Sequence, residues 1–331
     1  MATYTIIKLK EMSPLHVGTG KENYDFSASI LHSDTLSAAL AAMRVRLGRS
    51  ADVADFMDSF TLTSAFPYMG NRYFLPRPCG RVAVSINDCD EYVSRKKIKS
   101  IRFIESTLWN QLIEGKKVTV VGECLKDGFL LAGNDKGRFE QPYKASVNQR
   151  VSIPREDGAD AEPFFFDWTY FRHDAGLYCL TDAEGALLDE IVSLFEVLGE
   201  YGIGTDKNVG GGKFAVETDK MNFSEVSNTD TVVSLSLYIP HEEDISLINL
   251  SESHFELVQR GGYMAGSEEN DFWHLRKKSI YALGVGAIIK TSGKLKGKIV
   301  DLRPTEYNDE RMHPVYRSGK PFVLPINMEA L

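Results

Sequence analysis

Gly202-Ile203-Gly204-Thr205-Asp206-Lys207-Asn208-Val209-Gly210-Gly211-Gly212-Lys213-Phe214 is the stretch on which the reading of this chain turns. It follows an apolar pattern of helical spacing, Leu187 to Leu198, and leads into a strand-like run, Phe214 to Glu217. Five glycines in eleven residues remove the side chains that keep a ligand off the backbone. A row of amide N–H donors with two lysines suits a polyanion. Two common phosphate loops are excluded. A Walker A loop needs a hydroxyl after its lysine, and Phe214 follows Lys213. A Rossmann fingerprint follows a strand and opens a helix, which is the reverse of the order here.

A helix, a glycine-rich loop and a strand in that order fit an RNA-binding ferredoxin-like domain. The plain alternative is a surface turn with no ligand. Working outward, residues 2–10 alternate as a strand, and Ser13 to Gly20 is rich in turn residues. Leu36, Ala39, Leu40, Met43 and Leu47 form one stripe of a helix that Ser33 or Asp34 is expected to cap. Residues 60–68 and 72–76 read as a hairpin around Gly70. Thr181-Asp-Ala-Glu184 matches a capping box at the start of the second helix. The first 220 residues thus have a β-α-β-β-α-β order interrupted by an insertion at about 80–145. That insertion is expected to be irregular, with the basic run Arg95 to Arg102 as an extended arm or hairpin. Residues 221–331 offer strand candidates and weak helix signals, a degenerate second module. The fold class is α+β, two ferredoxin-like modules, the first with a thumb-like insertion.

The 331 residues are 43% hydrophobic and 25% charged, a globular composition with no apolar run of transmembrane length. Four scattered cysteines without C-x-x-C spacing favour a reducing cytoplasm, and the histidines have no metal-site spacing. No metal and no cofactor are expected. The net charge of −8 is unevenly spread. Residues 81–150 carry 13 Lys/Arg against 9 Asp/Glu, whereas 156–200 carry 1 against 12. A basic face for one partner and acidic faces for others would explain this, as would chance clustering on solvated surface.

Five segments in order carry a family resemblance. They are Ser13-Pro-Leu-His16-Val-Gly18, the helix start Leu31-His-Ser33-Asp-Thr-Leu36, Asn148-Gln-Arg150-Val-Ser152-Ile-Pro-Arg155, the glycine loop, and His313-Pro-Val-Tyr-Arg317-Ser-Gly319-Lys-Pro-Phe322. Together they resemble the RAMP superfamily of CRISPR effector proteins, and within it the subunit-four family of the type III-A Csm complex. The resemblance implies a subunit that grips the 5′ repeat-derived tag of the crRNA. It implies docking on the large polymerase/cyclase-like subunit and on the backbone RAMP subunit, with target RNA met indirectly and no membrane. It implies no catalysis by this chain. A Cmr complex has an equivalent handle-binding subunit.

The RNA-contacting candidates are then Gly202, Gly204, Gly210, Gly211 and Gly212 through their amides, Lys207 and Lys213 through charge, and Asn208 through a base edge or ribose hydroxyl. Asn148, Arg150 and Ser152 fall on one face of a strand, with Arg155 beyond and Tyr143 and Lys144 upstream. His16 and Gly18 lie in the first strand-to-helix connection, and Ser33 at a helix N-terminus. Arg260 and Arg317 sit in Arg-Gly-Gly-Tyr and Tyr-Arg-Ser-Gly contexts. The rival reading makes His16 the base of a metal-independent crRNA-processing endoribonuclease, but no motif supplies its acid partner. Asp25 is read as non-catalytic and Asp34 as a helix cap.

Overall fold

The computed structural model describes residues 2–18, 24–88, 90–133, 139–153, 160–264, 272, 274–304, 309 and 311–327. The architecture is α+β, with several sheets and few helices. Its centre is an eight-stranded sheet. In that sheet Ala215–Phe223, Ala2–Lys10, Ala175–Thr181 and Phe66–Met69 lie side by side in that order, all antiparallel. Strand Ala2–Lys10 sends successive side chains to opposite faces, and each face has its own core. Ile6, Tyr178 and Leu180 point into one. Ile7, Leu9, Leu177 and Cys179 point into the other, which helices Ser33–Arg46 and Gly185–Tyr201 cover.

Helix Gly185–Tyr201 forms because Ile191, Leu194, Phe195 and Leu198 recur at helical spacing and are buried. Each such side chain contributes roughly 1.5–3 kcal/mol on burial. The helix stops at Gly202, whose φ of +88° few other residues adopt and whose N–H reaches the Leu198 carbonyl. At its other end the expected capping box does not form. Thr181 stays in its strand, where its hydroxyl accepts from the Ala183 N–H and donates to the Thr61 carbonyl. The first helix likewise has no side-chain cap from Ser33 or Asp34; His32 is the N-cap residue, and both expected caps are buried in the first turn.

The stretch 80–145 differs most from expectation. Its basic run is not an extended arm but part of helix Glu91–Lys99, which Asp90 caps through the Val93 N–H. Helix Ser106–Ile113 follows, and Trp109, Leu112 and Ile113 are buried. Short strands Phe103–Glu105 and Phe129–Leu130 pair parallel and widen the central sheet. Val233, Leu235, Phe322 and Leu324 from the C-terminal half share the same core as these residues. No helix among the described residues is long and apolar enough to cross a membrane.

Candidate nucleic-acid interface

Three segments meet around the glycine loop. Strands Tyr143–Ser152 and Glu162–Phe171 form a two-stranded hairpin outside the central sheet. Segment 13–17 lies along its edge, with Leu15 and Thr169 exchanging backbone hydrogen bonds. The loop then closes over both. Ile203 N–H donates to Gly212, Thr205 N–H to His16, Gly212 N–H to Pro14 and Ser13 N–H to Lys213, all at carbonyl oxygens. The Ser13 hydroxyl donates to the Gly210 carbonyl and accepts from the Lys213 N–H.

This geometry corrects the role given to the glycines. A Cβ on Gly204 would overlap the His16 carbonyl, and one on Gly212 the Ile203 carbonyl. A Cβ on Gly211 would come within 2.7 Å of the Trp168 ring, and one on Gly202 within 2.7 Å of the Gly211 carbonyl. These glycines let the chain approach itself, and most of the loop amides serve the protein. Gly210, at φ +87° with open space around it, is the turn glycine. Asp206 sits at φ +58°, a conformation aspartate tolerates. Its carbonyl accepts from the Val209 and Gly211 N–H groups.

The charges of the loop are arranged on aromatic rings. Arg150 pairs with Asp206, and its guanidinium lies 4.5 Å from the Phe166 ring centre and 5.3 Å from that of Trp168. Lys207 lies 4.5 Å from the ring centre of Tyr201, as does Arg46. Alternation puts Lys144, Asn148, Arg150 and Ser152 on one hairpin face with Phe166, Trp168 and Tyr170. Asn148 donates to the Tyr170 hydroxyl at 3.2 Å. Lys144, Ser152, Asn208 and Lys213 are exposed. The result is a strip of cations and rings running from the hairpin to the end of the first helix. Ring faces and fixed cations are what a single-stranded nucleic acid stacks on and pairs with.

His16 sits beneath this strip at 1% exposure. Its Nδ1 donates to the Asp167 carbonyl at 2.7 Å. Nε2, Asp167 Oδ1 and Thr205 Oγ1 are buried with no hydrogen-bond partner among the described residues. The other oxygen of Asp167 accepts from the Ser27 N–H. His16 therefore ties hairpin to loop and does not reach out as expected. Gly18 is exposed nearby. Tyr143 is also corrected: its ring packs on Phe129 and Phe171, and burial pushes its phenol up, so it serves the core. Arg155 lies outside the described residues.

Ser33, Arg260 and Arg317 are elsewhere. Ser33 is buried, with its hydroxyl accepting from the Leu237 N–H. Arg260 grips the Asp34 carboxylate at 2.9 and 3.1 Å and the Thr35 hydroxyl at 2.9 Å. Arg317 donates to the Asp34 carbonyl at 3.2 Å. Asp34 is thus the anchor of two arginines of the C-terminal half. Burial raises its carboxyl, but the charges of Arg260 and Arg317 outweigh that and hold it below the usual carboxylate value. Arg46, Tyr201 and Asp206 are the residues that sequence reasoning missed. Arg46 and Tyr201 are too far apart in the chain for spacing to join them, and a loop aspartate ordinarily reads as turn chemistry.

A family model described as the CRISPR Csm4 C-terminal domain matches residues 227–326. The Csm4 protein of Mycobacterium tuberculosis (strain H37Rv) is 24% identical over 312 residues, 93% of each chain. That of Thermococcus onnurineus (strain NA1) is 23% identical over 273 residues, 79% of this chain and 82% of the relative. Among solved structures, a Csm3–Csm4 subcomplex of a type III-A CRISPR-Cas interference complex aligns at TM-score 0.63 and 18% identity, covering 98% of this chain and 99% of that one. A Csm1–Csm4 cassette with cA4 aligns at TM-score 0.62 and 18% identity, covering 98% of each. These matches make the chain similar to proteins of the CRISPR systems. More narrowly, it is Csm4-like.

Proposed function

We propose that this chain is a non-catalytic subunit of a type III-A Csm effector complex that holds the 5′ tag of the crRNA. In this reading Ala215–Phe223, Ala2–Lys10, Ala175–Thr181 and Phe66–Met69, with their two helices, are a ferredoxin-like module, and the hairpin 143–171 is its thumb. The strand order and the two helices on one face support that assignment. The C-terminal half is the second module. Csm1 and Csm3 accompany the similar Csm4 chains in solved complexes, so the large and backbone subunits are the proposed partners.

The strip of Arg46, Lys207, Arg150 and their aromatic supports carries the RNA reading. Cations held on rings attract phosphates, and the neighbouring ring faces accept bases. A chain of net charge −8 repels RNA at long range, so stable capture belongs to the assembled complex. The endoribonuclease reading needs His16 to reach a 2′-hydroxyl with an acid close by. Burial of His16 and its bond to Asp167 argue against it.

The test is affinity purification of the tagged chain from its host, with bound RNA sequenced and bound proteins identified. Short RNAs sharing one 5′ repeat-derived tag, together with the large subunit, are expected. Recovery of protein with neither would overturn the proposal, and metal-free cleavage of repeat RNA abolished by His16→Ala would replace it with the enzyme reading.

A further inference from the structure

A cavity of about 640 Å³ opens where the N-terminal and C-terminal halves meet. None of its lining residues belongs to the glycine-loop strip. Its floor is apolar: Pro76, Ile101 and Phe103 are buried there, with Ile30 and Val285 half-buried beside them. Leu250, on its rim, is 61% exposed. The volume is that of a pocket for a bulky side chain or a small molecule.

Two arginines line this cavity. Pro76 pairs with Phe103 across the central sheet, so Arg77 and Arg102 are the next cross-strand neighbours and share a face. The Arg77 N–H donates to the Arg102 carbonyl at 2.9 Å, which holds them side by side. The Arg77 guanidinium donates to the Gly80 carbonyl at 2.7 Å, and that of Arg102 to the Asp127 carbonyl at 3.2 Å. Neither forms an ion pair among the described residues, although Glu256 also lines the cavity. Arg77 Nε is buried with no hydrogen-bond partner. Like charges directly opposite repel, and a buried donor without an acceptor is costly. A carboxylate brought in from outside relieves both.

The walls decide what carries that carboxylate. Single-stranded RNA stacks on open ring faces. The Phe103 ring is already stacked on Phe129, with centroids 5.3 Å apart, and the rest of the floor is aliphatic. The Glu256 carboxylate on the rim also opposes a chain of phosphates. An apolar floor within a charged rim, with arginine at the edge, is how protein interfaces are built.

We propose that this cavity is a docking pocket for a partner protein, which seats an aliphatic side chain on the floor and gives an adjacent carboxylate to Arg77 and Arg102. This rests on the reading of the chain as a subunit of an assembly. It adds a protein-binding surface separate from the glycine-loop strip.

The experiment uses the tagged full chain with the purified large subunit and, separately, the purified backbone subunit of the same host. Affinities are measured at constant ionic strength for wild type, Arg102→Glu and Leu250→Asp, and urea midpoints check that both variants fold. Both substitutions fall on exposed side chains of the rim. Each is expected to weaken binding of one of the two subunits by about tenfold or more. In the complexes that still form, guide RNA per complex should be unchanged. Wild-type affinity for both subunits in both variants would overturn the pocket and leave the strip reading standing. Loss of guide RNA with protein affinities intact would overturn it in favour of a nucleic-acid site. Failure of the wild-type chain to bind either subunit would overturn the pocket and the subunit reading together.

Discussion

The glycine-loop strip and the Asp34 cluster use the same residue types to different ends. Both set arginine beside glycine and an aromatic ring. At the strip, Arg46 and Lys207 rest on the Tyr201 ring. At the cluster, Arg260 and Arg317 are turned inward onto a carboxylate that is 2% exposed. Cations on an open ring are available for a ligand, whereas cations on a buried carboxylate hold two halves of a chain together. The comparison teaches that composition does not separate binding from stability; the partner of each charge does.

The largest expected effect lies at the cluster. Asp34→Ala leaves two arginines largely buried without their anion and should destabilise the chain by roughly 3–5 kcal/mol, read by urea unfolding at pH 7. The sign with pH follows from the depressed carboxyl of Asp34. Its contribution is present above the unfolded value of about 3.9 and is lost as pH falls through the lower folded value. Wild type should therefore lose stability on acidification below about pH 4 more steeply than Asp34→Ala.

Next come the loop glycines. Gly212→Ala combines a φ of +67° with overlap on a backbone carbonyl and should cost roughly 2–5 kcal/mol. Gly210→Ala, in open space, should cost about 1–2 kcal/mol from its positive φ alone. Equal losses in the two variants would contradict the packing role of the loop. Burial and the charge of Arg317 push the Lys277 amine down to about 7 against about 10.4 unfolded, so the unfolded state binds more protons between them. Stability should accordingly rise from pH 7 to pH 9 in wild type relative to Lys277→Met, measured as urea midpoints. The smallest stability effects belong to the strip. Arg46→Ala and Lys207→Ala should shift stability by no more than about 0.5 kcal/mol while each lowers the salt slope of RNA binding by about 1.

Much of the fold was legible. The order of helix, glycine loop and strand is present, and so is the hairpin that pairs Tyr68 with Tyr73 across Gly70. In the C-terminal half, Thr231–Ser234, Leu257–Arg260 and Ile280–Leu283 fall within the strand-like runs 231–239, 254–260 and 279–289, whereas Ile248–His254 lies almost wholly ahead of any such run. Periodic runs of several residues leave a signal that needs no tertiary context. Residues 80–145 were misread because strands as short as Phe103–Glu105 have no period of their own. Their order comes from Trp109 and Phe129, buried in a core built by distant segments.

Of the candidate residues, sequence showed which groups are polar or charged but not which are already bonded within the chain. Arg150 does meet the loop that carries Lys207 and Asn208, through Asp206, and Asn148 lies on the same hairpin face. What sequence hid was which groups were already committed: the Gly212 amide to Pro14, and Arg260 to an aspartate 226 residues away. Pairings over such distances leave no local pattern.

The most direct measurement is the amount of guide RNA retained per complex when Arg46, Lys207 and Lys213 are all changed to alanine, at low and at near-physiological salt. The account predicts a folded subunit still docked on its large partner, with guide retention reduced at low salt and largely lost at near-physiological salt. Full retention of guide at both salts by that triple variant would contradict the claim that the glycine-loop strip holds RNA.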